Sequence, residues 1–250
     1  MMLDRAAPSP ETLAGMLRDA RAILSRLSGG LVVSCQARPG NPLAGSEAMA
    51  LMARAAELGG AHGLRVDGAR DVAAVQRAST LPIVGINRIE YRDSPVAITP
   101  TVASATALLE TGIRMVALDA TRRRRPGGER LEAVVATIHA HGALALGDLA
   151  MIDDLEPAVR AGVDAVGTTL SGYTAGNPAQ AGPDFALLAE LVKHSAVPVF
   201  GEGRFWTPDE VTRALGIGAA FVVIGTAITN PMAITSRFVS AIDAMASDEH

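Results

Sequence analysis

Short apolar runs alternate with amphipathic segments along most of the chain. Eight of these runs predict strands, in the segments at residues 31–34, 60–66, 81–86, 112–118, 143–146, 162–167, 197–200 and 218–224. The four segments that begin with glycine read as a helix end, the glycine and then the strand. The runs are apolar at consecutive positions rather than at every second position. Strands of this kind are buried on both faces, which is typical of a parallel sheet covered by helices.

The amphipathic segments predict one helix after each strand and one helix before the first. Apolar residues recur at helical spacing at residues 11–27, 47–58, 69–78, 102–110, 129–140, 152–161, 185–193, 208–215 and 231–245. Eight strand–helix units without a break in composition predict an α/β fold, a single (β/α)8 TIM barrel over residues 31–250, after an N-terminal helical extension at residues 1–30. A doubly wound open sheet is the alternative, but no Gly-x-Gly-x-x-Gly fingerprint follows the first strand.

Composition narrows the range of functions without identifying one. A net charge of −4 and an aromatic content of 3% argue against a nucleic-acid partner. The single cysteine, Cys35, excludes an internal disulfide and fits a reducing compartment. The first ten residues do not resemble a signal peptide, and no apolar run is long enough to span a membrane. We therefore expect a soluble cytoplasmic protein without a membrane partner.

Polar side chains collect where the predicted strands end. The active site of a (β/α)8 barrel lies at the C-terminal ends of its strands, so these residues form the candidate site. They are Ser34, Gln36, Arg65, Asp67, Asn87, Arg88, Asp119, Thr121, Asp148, Thr168, Thr169, Glu202, Arg204 and Thr226.

The turns after the seventh and eighth strands combine glycine with polar side chains. Gly203-Arg204 and Gly225-Thr226 occupy the positions at which such barrels often bind phosphate. Glu202 precedes the first of these turns and is placed for general acid–base chemistry. The alternatives are that the glycines only form tight turns and that Glu202 only pairs with Arg65 or Arg88.

Two residues and one loop near the mouth each have two interpretations. Asp148 is either an active-site residue or the N-cap of the next helix, and Arg65 either clamps a substrate oxygen or forms an ion pair. The loop after the sixth strand contains Thr169, Ser171 and Tyr173. It either binds a polyol or phosphate or is only a polar loop.

The remaining charged and reactive residues give weaker signals. One arginine of the run Arg122–Arg125 could reach the site, while most of the run would face solvent or a subunit interface. The five histidines show no metal-ligand spacing, so we expect no required metal. We interpret Cys35 as a small packed side chain, with a reactive thiol as the alternative.

Together these motifs resemble one family, the N-acetylmannosamine-6-phosphate 2-epimerases, which are (β/α)8 barrels that bind sugar phosphates. The resemblance extends from Leu31 to the C-terminal end of the sequence. The matching segments are Leu31-Val-Val-Ser-Cys-Gln36, Gly85-Ile86, Asp93-Ser-Pro-Val-Ala-Ile-Thr99, Leu118-Asp-Ala-Thr121, Arg125-Pro126, Gly167-Thr-Thr-Leu-Ser-Gly-Tyr-Thr174, Pro183-Asp184, Glu202-Gly-Arg204, Thr207-Pro208 and Gly225-Thr-Ala-Ile-Thr229.

The resemblance implies a cofactor-free inversion at C2 of an N-acetylhexosamine 6-phosphate. The proton alpha to the open-chain aldehyde is removed and returns on the other face, and the family uses a glutamate at the position of Glu202 and a lysine at position 88. The resemblance also implies a homodimer and two sets of binding residues. The sugar would be bound by Gln36, Arg65 and Asp148, and the phosphate by Gly203, Arg204, Gly225 and Thr226.

Two positions depart from the family pattern. The catalytic lysine after the third strand is replaced by Arg88, which stays protonated and accepts protons poorly. The phosphate-binding arginine after Ala-Ile-Thr is replaced by Asn230, for which Arg88 or one of Arg122–Arg125 could compensate. We therefore expect Glu202 to be the main acid–base residue and Arg88 to stabilise the enolate electrostatically.

The departures leave two alternative functions open. One is a biosynthetic isomerase, epimerase or lyase that acts on a modified amino sugar. The other is a non-catalytic protein that binds a sugar phosphate.

Overall fold

Eight parallel strands form a closed barrel in the computed structural model, which describes residues 8–177 and 180–247. Each strand pairs with its neighbours in sequence, and β8 pairs with β1 to close the sheet. The predicted barrel is therefore confirmed. The strands are β1 (Gly30–Cys35), β2 (Gly63–Asp67), β3 (Ile83–Ile86), β4 (Met115–Asp119), β5 (Leu144–Asp148), β6 (Ala165–Gly167), β7 (Val199–Glu202) and β8 (Phe221–Ile224).

Helices follow the strands and cover the outside of the barrel. Within the described residues they are α1 (Pro10–Ser25), α2 (Ser46–Leu58), α3 (Ala69–Ala78), α4 (Val102–Leu109), α5 (Leu131–Ala140), α6 (Leu155–Arg160), α7 (Phe185–His194), α8 (Pro208–Ile217), α9 (Thr226–Thr229) and α10 (Pro231–Ser247). The one-turn helix α9 was not predicted. The predicted helix at 152–161 is divided into a 3-10 turn, Ile152–Asp154, and α6.

Four strands begin three residues after the glycine that the sequence pattern places between the helix end and the strand. Each of these glycines has a positive φ, and the angles are 88° at Gly60, 82° at Gly112, 95° at Gly162 and 116° at Gly218. A left-handed glycine ends the preceding helix, because other residues adopt that conformation only at a steric cost. The glycine therefore belongs to the turn, and the strand begins only after the chain has reversed direction.

The interior of the barrel is filled by side chains and closed at one end by α1. Phe200 and Phe221 stack inside the barrel with their ring centroids 5.1 Å apart. Ala20 and Leu24 of α1 are buried in the same apolar cluster as these two rings. The N-terminal helix therefore packs on the barrel, and the opposite end, where the strands terminate, remains open.

A hairpin between β3 and α4 shapes the open end of the barrel. Arg88 and Ile98 form an antiparallel bridge at its base. Thr99, which is fully buried, then adopts a φ of 43°, an uncommon value for a β-branched residue. Its hydroxyl donates to the carbonyl of Ala117 at 2.6 Å and accepts from the N–H of Asn87 at 3.1 Å. These bonds fix the hairpin against β4 and position Arg88 at the mouth.

No helix in the described ranges is both long and apolar enough to cross a membrane.

The packing of Phe200 against Gly167 predicts that a methyl group added at Gly167 lowers the stability of the fold. Gly167→Ala should lower the free energy of unfolding by about 1–3 kcal/mol, because a Cβ there would overlap the buried ring of Phe200. Gly216→Ala is the matched control, since no atom lies within 4 Å of its Cβ position in α8. It should be neutral or stabilising by up to about 1 kcal/mol. Urea denaturation of both variants tests this, and equal effects would contradict it.

Candidate active site

A cavity of about 630 Å³ opens at the C-terminal ends of the strands. Its wall is formed by residues that follow different strands, as expected for a barrel of this type. Its polar lining consists of Ser34, Gln36, Arg38, Arg65, Arg88, Asp119, Arg123, Thr169, Tyr173, Glu202, Arg204 and Thr226.

The centre of the site is a buried ion-pair network around Arg65. The guanidinium binds Asp148 through two parallel contacts, of 3.1 Å from Nη1 to Oδ1 and 2.6 Å from Nη2 to Oδ2. Nη1 also donates to Oε2 of Glu202 at 2.8 Å. The hydroxyl of Thr169 lies 2.6 Å from Oδ1 of Asp148 and 3.1 Å from Oε2 of Glu202. The two carboxylates are therefore held together by one cation and one hydroxyl.

One guanidinium cannot neutralise two buried carboxylates. The Arg65 and Asp148 side chains are 2% and 0% exposed, and that of Glu202 is 13% exposed. Burial and the nearby charge of Asp148 raise the pKa of Glu202 to about 7, against the attraction of Arg65. Burial opposes the charge on Arg65, but the two carboxylates nevertheless raise the pKa of its guanidinium. Glu202 can therefore gain or lose a proton near neutral pH, as an acid–base residue requires.

The backbone of Glu202 is fixed by a hydroxyl of the neighbouring strand end. The Thr168 hydroxyl donates to the carbonyl of Glu202 at 2.8 Å and accepts from its N–H at 3.1 Å. Both side-chain contacts of Glu202 fall on Oε2. Among the described residues no hydrogen-bond donor reaches Oε1, so this oxygen is available to a ligand in the cavity.

The turn after β7 has an unusual backbone that directs Arg204 towards the neighbouring loop. Gly203 and Arg204 have φ angles of 110° and 58°. Nε of Arg204 donates to the carbonyl of Gly182 at 2.8 Å, and Nη1 donates to that of Ser171 at 2.6 Å. The guanidinium also lies 5.0 Å from the ring centroid of Tyr173. Carbonyls orient this cation but do not neutralise it, so its charge remains at the cavity wall.

The turn after β8 packs closely against β1. A Cβ on Gly225 would lie 3.3 Å from that of Ser34, and the hydroxyl of Thr229 donates to the carbonyl of Ser34 at 2.8 Å. Gln36 follows β1 and donates to the hydroxyl of Ser34 at 2.7 Å. The lining residues after β1 and β8 therefore form one connected part of the wall.

Arg88 lies at the mouth on the β3 side. Its N–H donates to the Asp67 carboxylate at 2.8 Å, which fixes the backbone, while its side chain is about one-third exposed. The nearest acidic oxygen, on Glu90, is 3.9 Å away. Burial and the charge of Arg38 lower the pKa of the Arg88 guanidinium, although arginine stays protonated in proteins.

Of the twelve residues predicted to have a catalytic, sugar-binding or phosphate-binding role, ten line the cavity. The exceptions are Asp148 and Ser171, which are buried behind the wall. The cavity is also not lined by four other polar residues at strand ends, Asp67, Asn87, Thr121 and Thr168. Asp148 binds Arg65 and Thr169, and Ser171 donates to Asp184 at 2.5 Å while its carbonyl holds Arg204. Their direct contact with a substrate stays a prediction. In the structure Asp148 positions Arg65, and Ser171 positions Arg204.

The run Arg122–Arg125 divides among three environments. Arg123 lines the cavity and pairs with the buried Asp119, and Arg122 contacts Asp153 at 3.2 Å on the surface. Arg125 is buried, unlike Arg122 and Arg124, which are exposed. It donates to the backbone carbonyls of Pro100 and Asp119, a role that depends on tertiary contacts and has no local sequence signal.

Arg38 is a charged lining residue that was not predicted from the sequence. It belongs to the Pro/Gly/Asn-rich loop after β1, and position after a strand end is the only signal that could have identified it. Cys35 is fully buried, and burial raises the pKa of its thiol to about 12, which agrees with the packed interpretation. In residues 8–177 and 180–247, no group of three or more His, Cys, Asp or Glu side chains is arranged to hold a metal ion.

Comparison with known proteins identifies one family. The model of the family described as "Putative N-acetylmannosamine-6-phosphate epimerase" matches residues 49–244. A relative from Clostridium perfringens, described as "Putative N-acetylmannosamine-6-phosphate 2-epimerase", is 45% identical over 216 residues, which cover 86% of this chain and 98% of the relative. A relative from Clostridioides difficile with the same description is 42% identical over 221 residues, covering 88% and 99% of the two chains.

A solved structure of the same family also has the same fold as this chain. It is the N-acetylmannosamine-6-phosphate 2-epimerase from Clostridium perfringens, with a TM-score of 0.86 and 44% sequence identity. The match covers 88% of this chain and 96% of that chain. The resemblance found in the sequence motifs is therefore confirmed.

The raised pKa of Glu202 predicts how stability depends on pH. Its pKa is about 7 when folded and 4.5 in the absence of perturbation, so between these values the folded state binds more protons than the unfolded state. The free energy of unfolding should therefore fall as pH rises from about 4.5 to about 7. Glu202→Gln should make this decline shallower, whereas Glu11→Gln, at an exposed position of α1, should leave it unchanged. Urea denaturation across this range tests the prediction, and parallel curves for wild type and Glu202→Gln would contradict it.

Proposed function

The chain belongs to the N-acetylmannosamine-6-phosphate 2-epimerase family, and from this premise we propose that it inverts C2 of N-acetylmannosamine 6-phosphate to give N-acetylglucosamine 6-phosphate. The observation that carries the proposal is Glu202, a carboxylate with a pKa of about 7 in a cavity where arginines outnumber carboxylates. Such a site combines a proton acceptor with the charge needed to hold a phosphate and stabilise an enolate.

Glu202 is assigned the removal of the C2 proton from the ring-opened sugar. The C2–H bond breaks, its electron pair forms a double bond between C1 and C2, and the negative charge moves to the former aldehyde oxygen. A solvent water in the open cavity then donates a proton to the opposite face of C2, where the electron pair of the C1–C2 double bond forms the new C–H bond as the aldehyde re-forms. The hydroxide that remains takes up the proton held on Glu202, which returns the carboxylate to its starting state. Arg65 supports this cycle because it lies 2.8 Å from Oε2 and limits rotation of the carboxylate.

Arg88 is assigned the stabilisation of the enolate oxygen. It lies at the end of β3, across the mouth from Glu202 at the end of β7, and lacks a close acidic partner within the described structure. A guanidinium donates hydrogen bonds and does not accept protons at neutral pH. Its contribution is therefore to the charge that develops on the former aldehyde oxygen.

The rest of the cavity wall is assigned to binding. Gly203-Arg204 and Gly225-Thr226 would hold the phosphate, since glycine permits close approach of the backbone to an anion. Gln36, Thr169 and Tyr173 would contact the sugar. Asp148 and Ser171 would act indirectly, by orienting Arg65 and Arg204.

We further propose a homodimer in which α10 contributes to the interface. This helix exposes a row of large apolar side chains, and its contact with the barrel includes Arg237 over the ring of Trp206 at 4.4 Å. Contiguous exposed apolar surface of this kind marks an interaction site. The exposed residues are Met232, Phe238, Val239, Ile242 and Met245, at 54%, 69%, 49%, 66% and 73%.

A cytoplasmic location is part of the same proposal. A sugar phosphate carries a charge that is costly to place in a bilayer, so it remains in the compartment where it is made. An enzyme that uses such a substrate would share that compartment.

Proton exchange at C2 tests the reaction directly. Incubation with N-acetylmannosamine 6-phosphate in deuterated water should remove the C2 proton signal from the NMR spectrum as the N-acetylglucosamine epimer appears. Glu202→Gln should lower the exchange rate at least about 100-fold, because the variant has no base at that position. Glu190→Gln, an exposed residue of α7 outside the cavity lining, is the control and should exchange at the wild-type rate.

Three outcomes of that experiment would alter the proposal. Exchange without epimer would show that a proton returns only to the face of C2 from which it was removed. Binding without exchange would favour the non-catalytic alternative. Normal exchange in Glu202→Gln would exclude Glu202 as the base.

The association state is tested by one substitution on α10. Ile242→Glu should shift the protein towards monomer in sedimentation-velocity experiments, because a charge in an apolar interface is costly. Leu58→Glu on α2 is the control, since Leu58 is similarly exposed, at 72%, but lies on another helix. A wild-type protein that is monomeric at micromolar concentration would contradict the proposed dimer.

A further inference from the structure

Arg38 is a cavity residue whose guanidinium has no assigned role. It lies in the loop between β1 and α2, is exposed, and lines the same cavity as Glu202 and Arg88. In the part of the chain that the structure describes, its guanidinium takes part in no hydrogen bond or ion pair. An arginine that points its charge at a cavity without a protein partner is available to a ligand.

The other cations of the cavity are engaged to different degrees. Arg65 is bound by two carboxylates, and Arg123 is paired with Asp119. Arg204 donates to two backbone carbonyls. This leaves Arg38, Arg88 and Arg204 without a close carboxylate, and of these three only the guanidinium of Arg38 has no protein partner within the described residues. The charge of Arg38 also acts directly on Arg88. Like charges that face one cavity repel each other, and an anion bound beside them removes that cost.

The loop that carries Arg38 is joined to the turn after β8. Nδ2 of Asn41 donates to Oδ1 of Asn230 at 3.5 Å, a long contact across the boundary between the two segments. The strands themselves are paired, and Thr229 donates to the carbonyl of Ser34 at 2.8 Å. Arg38 therefore belongs to a loop that is held against the segment carrying the Gly225-Thr226 turn, and both line the same cavity.

The turn after β8 supplies no cation of its own. Residues 225–230 carry no charged side chain. Asn230 is used structurally, because its Oδ1 accepts from the N–H of Ala233 at 3.2 Å at the start of α10. A phosphate held at this turn therefore needs a cation from a neighbouring segment, and the loop after β1 offers Arg38.

We propose that Arg38 binds the phosphoryl group of the substrate and sets the preference for the phosphorylated over the unphosphorylated amino sugar. This inference rests on the proposed function, because it names the group at one end of the substrate of that reaction. It leaves Arg88 for the enolate oxygen at the other end. Arg38 then binds the charge of the phosphoryl group, and Arg88 stabilises the charge on the enolate oxygen.

The test compares Arg38→Gln with two other variants. Arg38→Lys keeps the charge but loses the planar fork, and Arg92→Gln removes an exposed arginine from the hairpin after β3, outside the cavity lining. The measurements are kcat and KM for N-acetylmannosamine 6-phosphate and for N-acetylmannosamine, together with the inhibition constant of inorganic phosphate.

Arg38→Gln should raise KM for the phosphorylated sugar and the inhibition constant of inorganic phosphate by about 10- to 100-fold, the range for a lost charge-assisted hydrogen bond. Its kcat should change less than about threefold, because Arg38 does not touch C2. Its kcat/KM for N-acetylmannosamine should equal that of wild type, Arg38→Lys should be intermediate, and Arg92→Gln should match wild type.

Two results would overturn the inference. One is an unchanged affinity for inorganic phosphate in Arg38→Gln, measured by calorimetry. The other is an equal loss for phosphorylated and unphosphorylated sugar, which would assign Arg38 to the sugar or the enolate. The calorimetric arm needs no turnover, so it tests Arg38 even if wild type fails to epimerise N-acetylmannosamine 6-phosphate and the proposed function fails.

Discussion

The shared use of one buried guanidinium by two carboxylates determines the chemistry of this site. Arg65 neutralises Asp148 through two parallel contacts, and Glu202 receives only a part of the same charge. Removing a partner from a buried ion pair typically costs about 3–5 kcal/mol, because an uncompensated charge remains in a low-dielectric environment. The network is therefore constrained to keep one cation and at least one ionised carboxylate. The second carboxylate, Glu202, avoids an uncompensated negative charge by binding a proton near neutral pH.

The barrel makes this arrangement possible because it brings together strand ends that are far apart in sequence. Arg65 lies in β2, Asp148 ends β5 and Glu202 ends β7. The closed sheet fixes these three positions relative to one another, and Thr169 adds a hydroxyl from the loop after β6. The rigid framework then leaves specificity to the loops. Arginines from the loops after β1, β3, β4 and β7 surround a core of fixed geometry.

Different parts of the site were predictable from the sequence to different degrees. Glu202, Gly203 and Arg204 follow an apolar strand and precede a capped helix, so their place at the mouth follows from local pattern and barrel topology. Arg38 was missed because nothing in its loop distinguishes a cavity arginine from a solvent-exposed one. The burial of Ser171 was missed because its partner, Asp184, lies 13 positions away in sequence. Such contacts depend on how loops fold over the strand ends, which periodicity does not encode.

The sequence by itself determined the number and order of the strands and the end of the barrel at which the site lies. Uniformly apolar strands can be buried only between a filled interior and a layer of helices, and glycine must end helices where φ is positive. The tertiary structure alone decided which charges meet. A pKa depends on distance and burial, and both are set when the sheet closes and places Arg65 against Asp148 and Glu202. The same closure decided that Arg125 is a buried donor to backbone carbonyls while Arg38 remains without a protein partner in the described structure.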